Sequence, residues 1–172
     1  IELNEHVLID SKTDLKGQIT FINKAFIDIS GFTEAELIGQ PHNIVRHPDM
    51  PAEAFADLWR DLKNGRPWTG MVKNRCKNGD YYWVLANAAP IVENGQVTGY
   101  ISVRRKASRE AIEAHEAAYR QFREKRQGRL VIRYGKAVTP GGLRIQDWGI
   151  GTKLWTGVAA IVIVGLIGYN HA

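Results

Sequence analysis

The stretch Cys76-Lys77-Asn78-Gly79-Asp80-Tyr81-Tyr82-Trp83-Val84-Leu85-Ala86-Asn87-Ala88-Ala89-Pro90-Ile91-Val92-Glu93-Asn94-Gly95-Gln96 holds two Asn-Gly pairs with an apolar and aromatic run between them. Asn-Gly between apolar runs is the strongest short-range hairpin signal, because both residues enter the left-handed backbone region at low cost. The pairs divide three strand-like runs, Trp68–Cys76, Tyr81–Val92 and Val97–Arg105, which predicts an antiparallel meander. Toward the N-terminus, Val7–Asp10 and Ile19–Asn23 flank a Lys16-Gly17 turn and complete a five-stranded antiparallel sheet.

Between the second and third strands the periodicity turns helical. Asn23–Gly31 reads as a short helix ended by glycine, and Thr33-Glu-Ala-Glu36 as a capping box opening a second short turn. A longer helix runs from about Pro51 to Asn64, with Phe55, Leu58, Trp59 and Leu62 at helical spacing and Gly65 as its stop. The fold class is therefore α+β, with a central helical insertion that leaves room for a ligand between helices and sheet. After Arg105, Ser108 caps a helix running to about Gln127 whose Ala, Glu and Arg content suggests a solvated connector. Gly128–Gly151 is basic and turn-prone.

A chain of 172 residues with 44% apolar and 24% charged side chains fits one ordinary domain plus an appendage. Charge divides it. Residues 1–103 hold 10 basic and 13 acidic side chains, net −3, whereas residues 104–172 hold 13 and 5, net +8. Leu154–Asn170 then runs 17 positions without a charged side chain. As a helix it spans about 25 Å, slightly short of a bilayer core of about 30 Å, with Trp155 and Tyr169 placed as interfacial aromatics. Lys153, Arg144, Lys136 and Arg133 precede it, as expected on a cytoplasmic side. The domains read as 1–106 the α+β domain, 107–152 helical and basic linker, and 153–172 the start of a transmembrane anchor. Beside a membrane, the basic stretch suits anionic head groups or a following module better than nucleic acid. The single cysteine, Cys76, excludes an internal disulfide and a cysteine-based metal site. The first residue is Ile1, so the chain reads as a fragment or a processed form.

The segment Gly39–Pro51 crowds His42, Arg46, His47, Asp49 and three prolines into thirteen residues. Proline fixes its own φ and restricts the residue before it, so these polar groups sit on a stiff backbone suited to an anionic or heteroaromatic ligand. No Ser-His-Asp order, phosphate loop or zinc pattern is present, and Glu34 and Glu36 serve helix capping, so an enzyme is not indicated.

Asn23 and Phe26, Ser30-Gly31-Phe32, Glu36-Leu37-Ile38-Gly39, Gln40–Pro51, Pro67-Trp68, Lys73-Asn74-Arg75, Lys77-Asn78-Gly79-Asp80, Tyr82-Trp83-Val84 and Asn87 together resemble PAS sensor domains over roughly residues 8–106. Within them, His42-Asn43 followed by Val45–Pro51 resembles the sensors of bacterial aerotaxis receptors. The resemblance implies a PAS fold that binds FAD non-covalently as a redox reporter for oxygen or energy sensing. It further implies a cytoplasmic sensor on an inner-membrane receptor, a HAMP and signalling module downstream, the chemotaxis kinase complex as partner, and a homodimer or higher oligomer. Arg46, His47 and Asp49 match positions at which that family holds its flavin, and Trp68 a position beside the ring. Asn23, Asn74 and Asn87 offer amides to the ring's polar edge. Asp49 has a second reading, as the start of the helix after Pro51. His42 and His47 allow a rival, axial haem ligation, since some PAS domains carry haem; a ligand-free interaction module is a third. Light-sensing relatives place their cysteine where this chain has Arg46-His47-Pro48, so Cys76 does not suggest adduct photochemistry.

Overall fold

The computed structural model describes residues 1–141. Its strands β1 (Ile9–Thr13), β2 (Ile19–Ile22), β3 (Trp68–Arg75), β4 (Tyr81–Glu93) and β5 (Gln96–Lys106) form one antiparallel sheet in the order β2-β1-β5-β4-β3. The two Asn-Gly pairs turn the chain differently. Asn94 and Gly95 both have positive φ, 50° and 78°, and alone join β4 to β5 as a two-residue turn whose twist matches its strands. At the other pair only Gly79 has positive φ; Asn78 bends the chain through its side chain, accepting from the Asp80 amide at 2.9 Å. The loop is consequently wider, closed by Cys76 N–H on the Asp80 carbonyl at 2.8 Å.

The insertion contains α1 (Lys24–Ser30), α2 (Glu34–Leu37), a 3-10 turn at His42–Val45 and α3 (Ala52–Lys63). Asn23 caps α1 by accepting from Phe26 N–H, and Thr33 and Glu36 form the expected reciprocal box at α2. Ile9, Phe26, Leu37, Val45 and Val84, each 1% exposed or less, form the centre of the core between insertion and sheet. Each such side chain contributes about 1.5–3 kcal/mol of burial.

Two expectations about the region after the sheet need correction. The helix α4 (Arg109–Arg123), capped by Ser108 as expected, is not a solvated connector. Tyr119 and Phe122 are buried, the Tyr119 ring stacks on Trp83 at 6.1 Å, and its hydroxyl donates to the Met71 carbonyl at 2.8 Å. An amphipathic helix with few apolar residues still docks when those few are aromatic and aligned. Beyond it, the stretch read as basic and turn-prone contains a hairpin, β6 (Val131–Arg133) and β7 (Lys136–Val138), and Ile132 joins the core. Its turn is Tyr134-Gly135, with φ of 52° and 73°. The compact unit runs to Pro140. The candidate anchor at 153–172 and residues 142–152 before it lie outside the described residues, among which no helix is long and apolar enough to cross a membrane.

The Asp57 carboxylate, buried on α3, fixes this hairpin. It accepts from Gly135 N–H at 2.7 Å, Tyr134 N–H at 3.2 Å, Trp68 Nε1–H at 2.8 Å and the Arg60 guanidinium. Burial raises its pKa, but these bonds outweigh burial and hold it below the ordinary carboxylate value. Gly135 lies so close to β3 that a Cβ there would overlap the Thr69 carbonyl, whereas Gly95, with similar φ, has open space. Gly95→Ala should therefore cost about 1–2 kcal/mol from backbone strain alone. Gly135→Ala should cost at least about 2 kcal/mol more, because backbone must shift. Urea denaturation of the two variants checks this; equal losses would mean the hairpin is not packed on β3.

Candidate functional site

A cavity of about 100 Å³ lies between the sheet, α3 and the 3-10 turn. It exists because the inner face of the sheet carries small side chains where a core would carry large ones. Ala86 and Ala88 of β4, Ser102 of β5, and Ser11 and Thr13 of β1 line it. Opposite them stand Phe55, Leu58 and Leu62, one stripe of α3, with Trp59 and Tyr100 in edge contact at 5.2 Å. The next stripe of α3, Ala54, Asp57 and Asp61, is also buried, so this helix is a wall of the cavity and an anchor for the hairpin at once.

Of the residues expected at a ligand, His42, Arg46 and Asn74 line the cavity. The Arg46 backbone bridges to Asn74 on the free edge of β3, and His47 N–H donates to the Lys73 carbonyl at 3.2 Å. In extended chain, neighbouring side chains take opposite sides. Arg46 therefore enters the cavity, its guanidinium 3.5 Å from the Phe55 ring centroid, while His47 packs edge-on against Tyr81 at 5.9 Å on the far side. Arg46 Nε is buried without a partner. Burial lowers the Arg46 pKa, and also that of His47, where Lys73 adds to the effect.

The remaining candidates do not line the cavity. Asp49 is held by Lys73 Nζ at 2.8 Å, with Arg123 donating to its carbonyl at 2.9 Å; α3 starts after Pro51 with no side-chain cap, so the carboxylate is not a helix start. The hydrogen bond from Lys73 holds the Asp49 pKa below its ordinary value. Trp68 is buried with its indole N–H on Asp57 and its ring over Gly70. The Asn23 amide is engaged by Phe26 N–H, Asp10 N–H and the Leu8 carbonyl. Asn87 alternates with Ala86 and Ala88 onto the other face of β4, where Thr69 donates to it at 2.9 Å. Cys76 is buried away from the cavity with its thiol on the Ile29 carbonyl.

Ser11 and Arg104 were not foreseen. Arg104 donates to Ser11 Oγ at 3.0 Å and to His42 Nε2 at 2.8 Å, and Ser11 Oγ lies 3.0 Å from the same nitrogen. A nitrogen that accepts from a guanidinium carries no proton, so His42 is neutral with its proton on Nδ1. Burial, and then Arg104, push its pKa down to about 3; burial pushes that of Arg104 down to about 10. With Nε2 taken, His42 offers no free imidazole to a haem iron, and His47 lies across the strand edge.

This sheet and helix arrangement agrees with the comparisons. Residues 19–104 match the family described as the PAS fold, and the chain belongs to that family. It is 50% identical over 138 residues to the aerotaxis receptor of Escherichia coli, an alignment covering 77% of this chain and 27% of that receptor. Among solved structures it resembles the PAS domain of a Colwellia psychrerythraea protein, with 28% identity and a TM-score of 0.54 over 60% of this chain and 89% of that one. A light-oxygen-voltage domain studied with a flavin analogue shares the fold at 20% identity, TM-score 0.54, over 69% of this chain and 86% of that one.

Since His42 titrates at about 3 when folded and about 6.5 when unfolded, the unfolded chain binds the extra proton between these values. Its contribution to stability is complete above about pH 6.5 and is lost as pH falls toward about 3. In chemical denaturation from pH 7 to pH 4, His42→Gln should flatten the pH slope by close to one proton. An unchanged slope would place a charged imidazole at position 42.

Proposed function

We propose that this chain is the sensor part of an energy-taxis receptor, with FAD held non-covalently in the cavity as a redox reporter and no catalytic role. The observation that carries this reading is the cavity lining. Apolar side chains of α3 face small residues of the sheet, which suits a flat ring. Asn74, Ser102, the unpartnered Thr13 hydroxyl and the unpartnered Arg46 Nε supply the polar contacts that its oxygen- and nitrogen-rich edge requires. The likeness to the aerotaxis receptor of Escherichia coli supports the energy-taxis reading. Typical ligand pockets measure about 300–1,000 Å³. A fused tricycle therefore requires the α3 side chains and the Trp59–Tyr100 contact to move apart.

Bound flavin would supply reversible electron storage. The chain's own part is to report that change outward. Arg46 touches the ligand space; the next residues, His47 and Asp49, meet Lys73, and through it Glu116 of α4 at 3.5 Å. A change in what Arg46 pairs with is thereby felt at α4. The remainder of the reading follows the resemblance drawn from the sequence: an inner-membrane anchor at 153–172 with the sensor cytoplasmic, a homodimer or higher oligomer, and a HAMP module passing the signal to the chemotaxis kinase complex.

An absorption spectrum of the purified chain should show oxidised flavin; a Soret band or an empty visible region would overturn the assignment. Arg46→Ala should remain folded by circular dichroism while its flavin affinity falls at least about tenfold, the loss expected for one hydrogen bond to a charged group. Stoichiometric flavin in that variant would remove Arg46 from the site.

A further inference from the structure

The cavity holds two guanidinium groups and no carboxylate. Arg46 and Arg104 both line it, and among the described residues neither has an Asp or Glu oxygen within 4.0 Å. Arg104 is 5% exposed and hydrogen-bonds only neutral partners, the Ser11 hydroxyl and the His42 imidazole. The Phe26 ring packs 5.7 Å from its guanidinium carbon. Asp10, which its charge reaches from β1, does not line the cavity. A buried cation met only by neutral acceptors is incompletely compensated, and an apolar side chain of similar volume would normally be more stable there. Arg46 Nε adds an unsatisfied donor at the same space.

We propose that Arg46 and Arg104 form an oxyanion-accepting end of the cavity, completed by a negatively polarised oxygen of the bound ligand, with Ser11 and neutral His42 holding Arg104 in place. This rests on the flavin reading for the ligand's identity, where the oxygen comes from the carbonyl edge of the ring or from a phosphate. It makes Arg104 a ligand-binding residue and Ser11 and His42 positioning residues. Arg104 then costs stability in the empty protein and regains it on binding.

Arg104→Met keeps an unbranched apolar stem and removes the charge, and two measurements on the full chain stripped of flavin test the proposal. Affinity for riboflavin, FMN and FAD should fall at least about tenfold for the flavins whose oxygen Arg104 meets. An equal loss for all three assigns the ring edge; a loss confined to FMN and FAD assigns phosphate. The melting temperature without flavin should rise by about 2–4 °C relative to wild type, because an uncompensated buried charge has gone. Unchanged affinity for all three flavins overturns the proposal. A flavin-free melting temperature that stays level or falls also overturns it, since Arg104 would then be a structural cation. If the wild-type chain binds no flavin, the flavin reading fails and the melting temperature decides alone: a rise retains an anionic ligand of another kind, a fall does not.

Discussion

The free edge of β3 is the constraint on which the rest of the molecule depends. In an antiparallel ladder every second residue of an edge strand points its N–H and C=O away from the sheet, and unpaired edges invite aggregation. Here those residues are Thr69, Met71 and Lys73, and three distant parts of the chain meet them. His47 N–H donates to the Lys73 carbonyl, the Tyr119 hydroxyl donates to the Met71 carbonyl, and Gly135 closes on Thr69. The segment before β3, the helix after β5 and the β6–β7 hairpin are thereby fixed to one line. Because Arg46 precedes His47, the same docking that covers the edge also aims a guanidinium into the cavity.

Charge is arranged differently on the two sides of that line. On the outer side Lys73 is nearly buried but has Asp49 at 2.8 Å and Glu116 at 3.5 Å, with Arg123 closing on Asp49, so opposite charges are balanced within contact distance. A buried ammonium left without these carboxylates would cost several kcal/mol. On the inner side the two arginines have no such partners among the described residues. More clearly than residue type does, the asymmetry separates a cluster whose charge is compensated within the fold from one whose charge is not, since both contain the basic groups expected around an anion.

How much of this was legible in the sequence follows from which features leave a local mark. The five-stranded sheet was, because Asn94-Gly95 and the period-two runs on either side of it constrain backbone directly. The capping box at Thr33 and Glu36 was legible for the same reason. The hairpin at 131–138 was not: its turn is Tyr134-Gly135, and Tyr is held at φ of 52° by a tertiary bond to Asp57 that no window of sequence contains. Nor was the docking of α4, which rests on Tyr119 and Phe122 among charged neighbours. The cavity is partly readable afterwards, as Ala86 and Ala88 on β4 with Ser11 and Thr13 on β1, alternate positions of small side chains. Asn87 fell on the wrong face because an amide's chemistry says nothing about strand parity. Arg104 escaped notice because the first of three consecutive basic residues near the end of a strand looks solvated until β1 and His42 close over it.

The two buried stripes of α3 give the ligand space a mechanical consequence. Phe55, Leu58 and Leu62 face the cavity, whereas Asp57 on the adjoining stripe carries Trp68 and the turn of the β6–β7 hairpin. A packed helix moves as a unit, so side chains that must separate to admit a flat ring displace the carboxylate on the same turn of helix. Two hydrogen bonds from Tyr134 and Gly135, together with the close approach of Gly135 to β3, resist that displacement. Ligand entry and hairpin docking thus draw on one element, and an occupant that stabilises one position of α3 over another biases the hairpin by the same free energy.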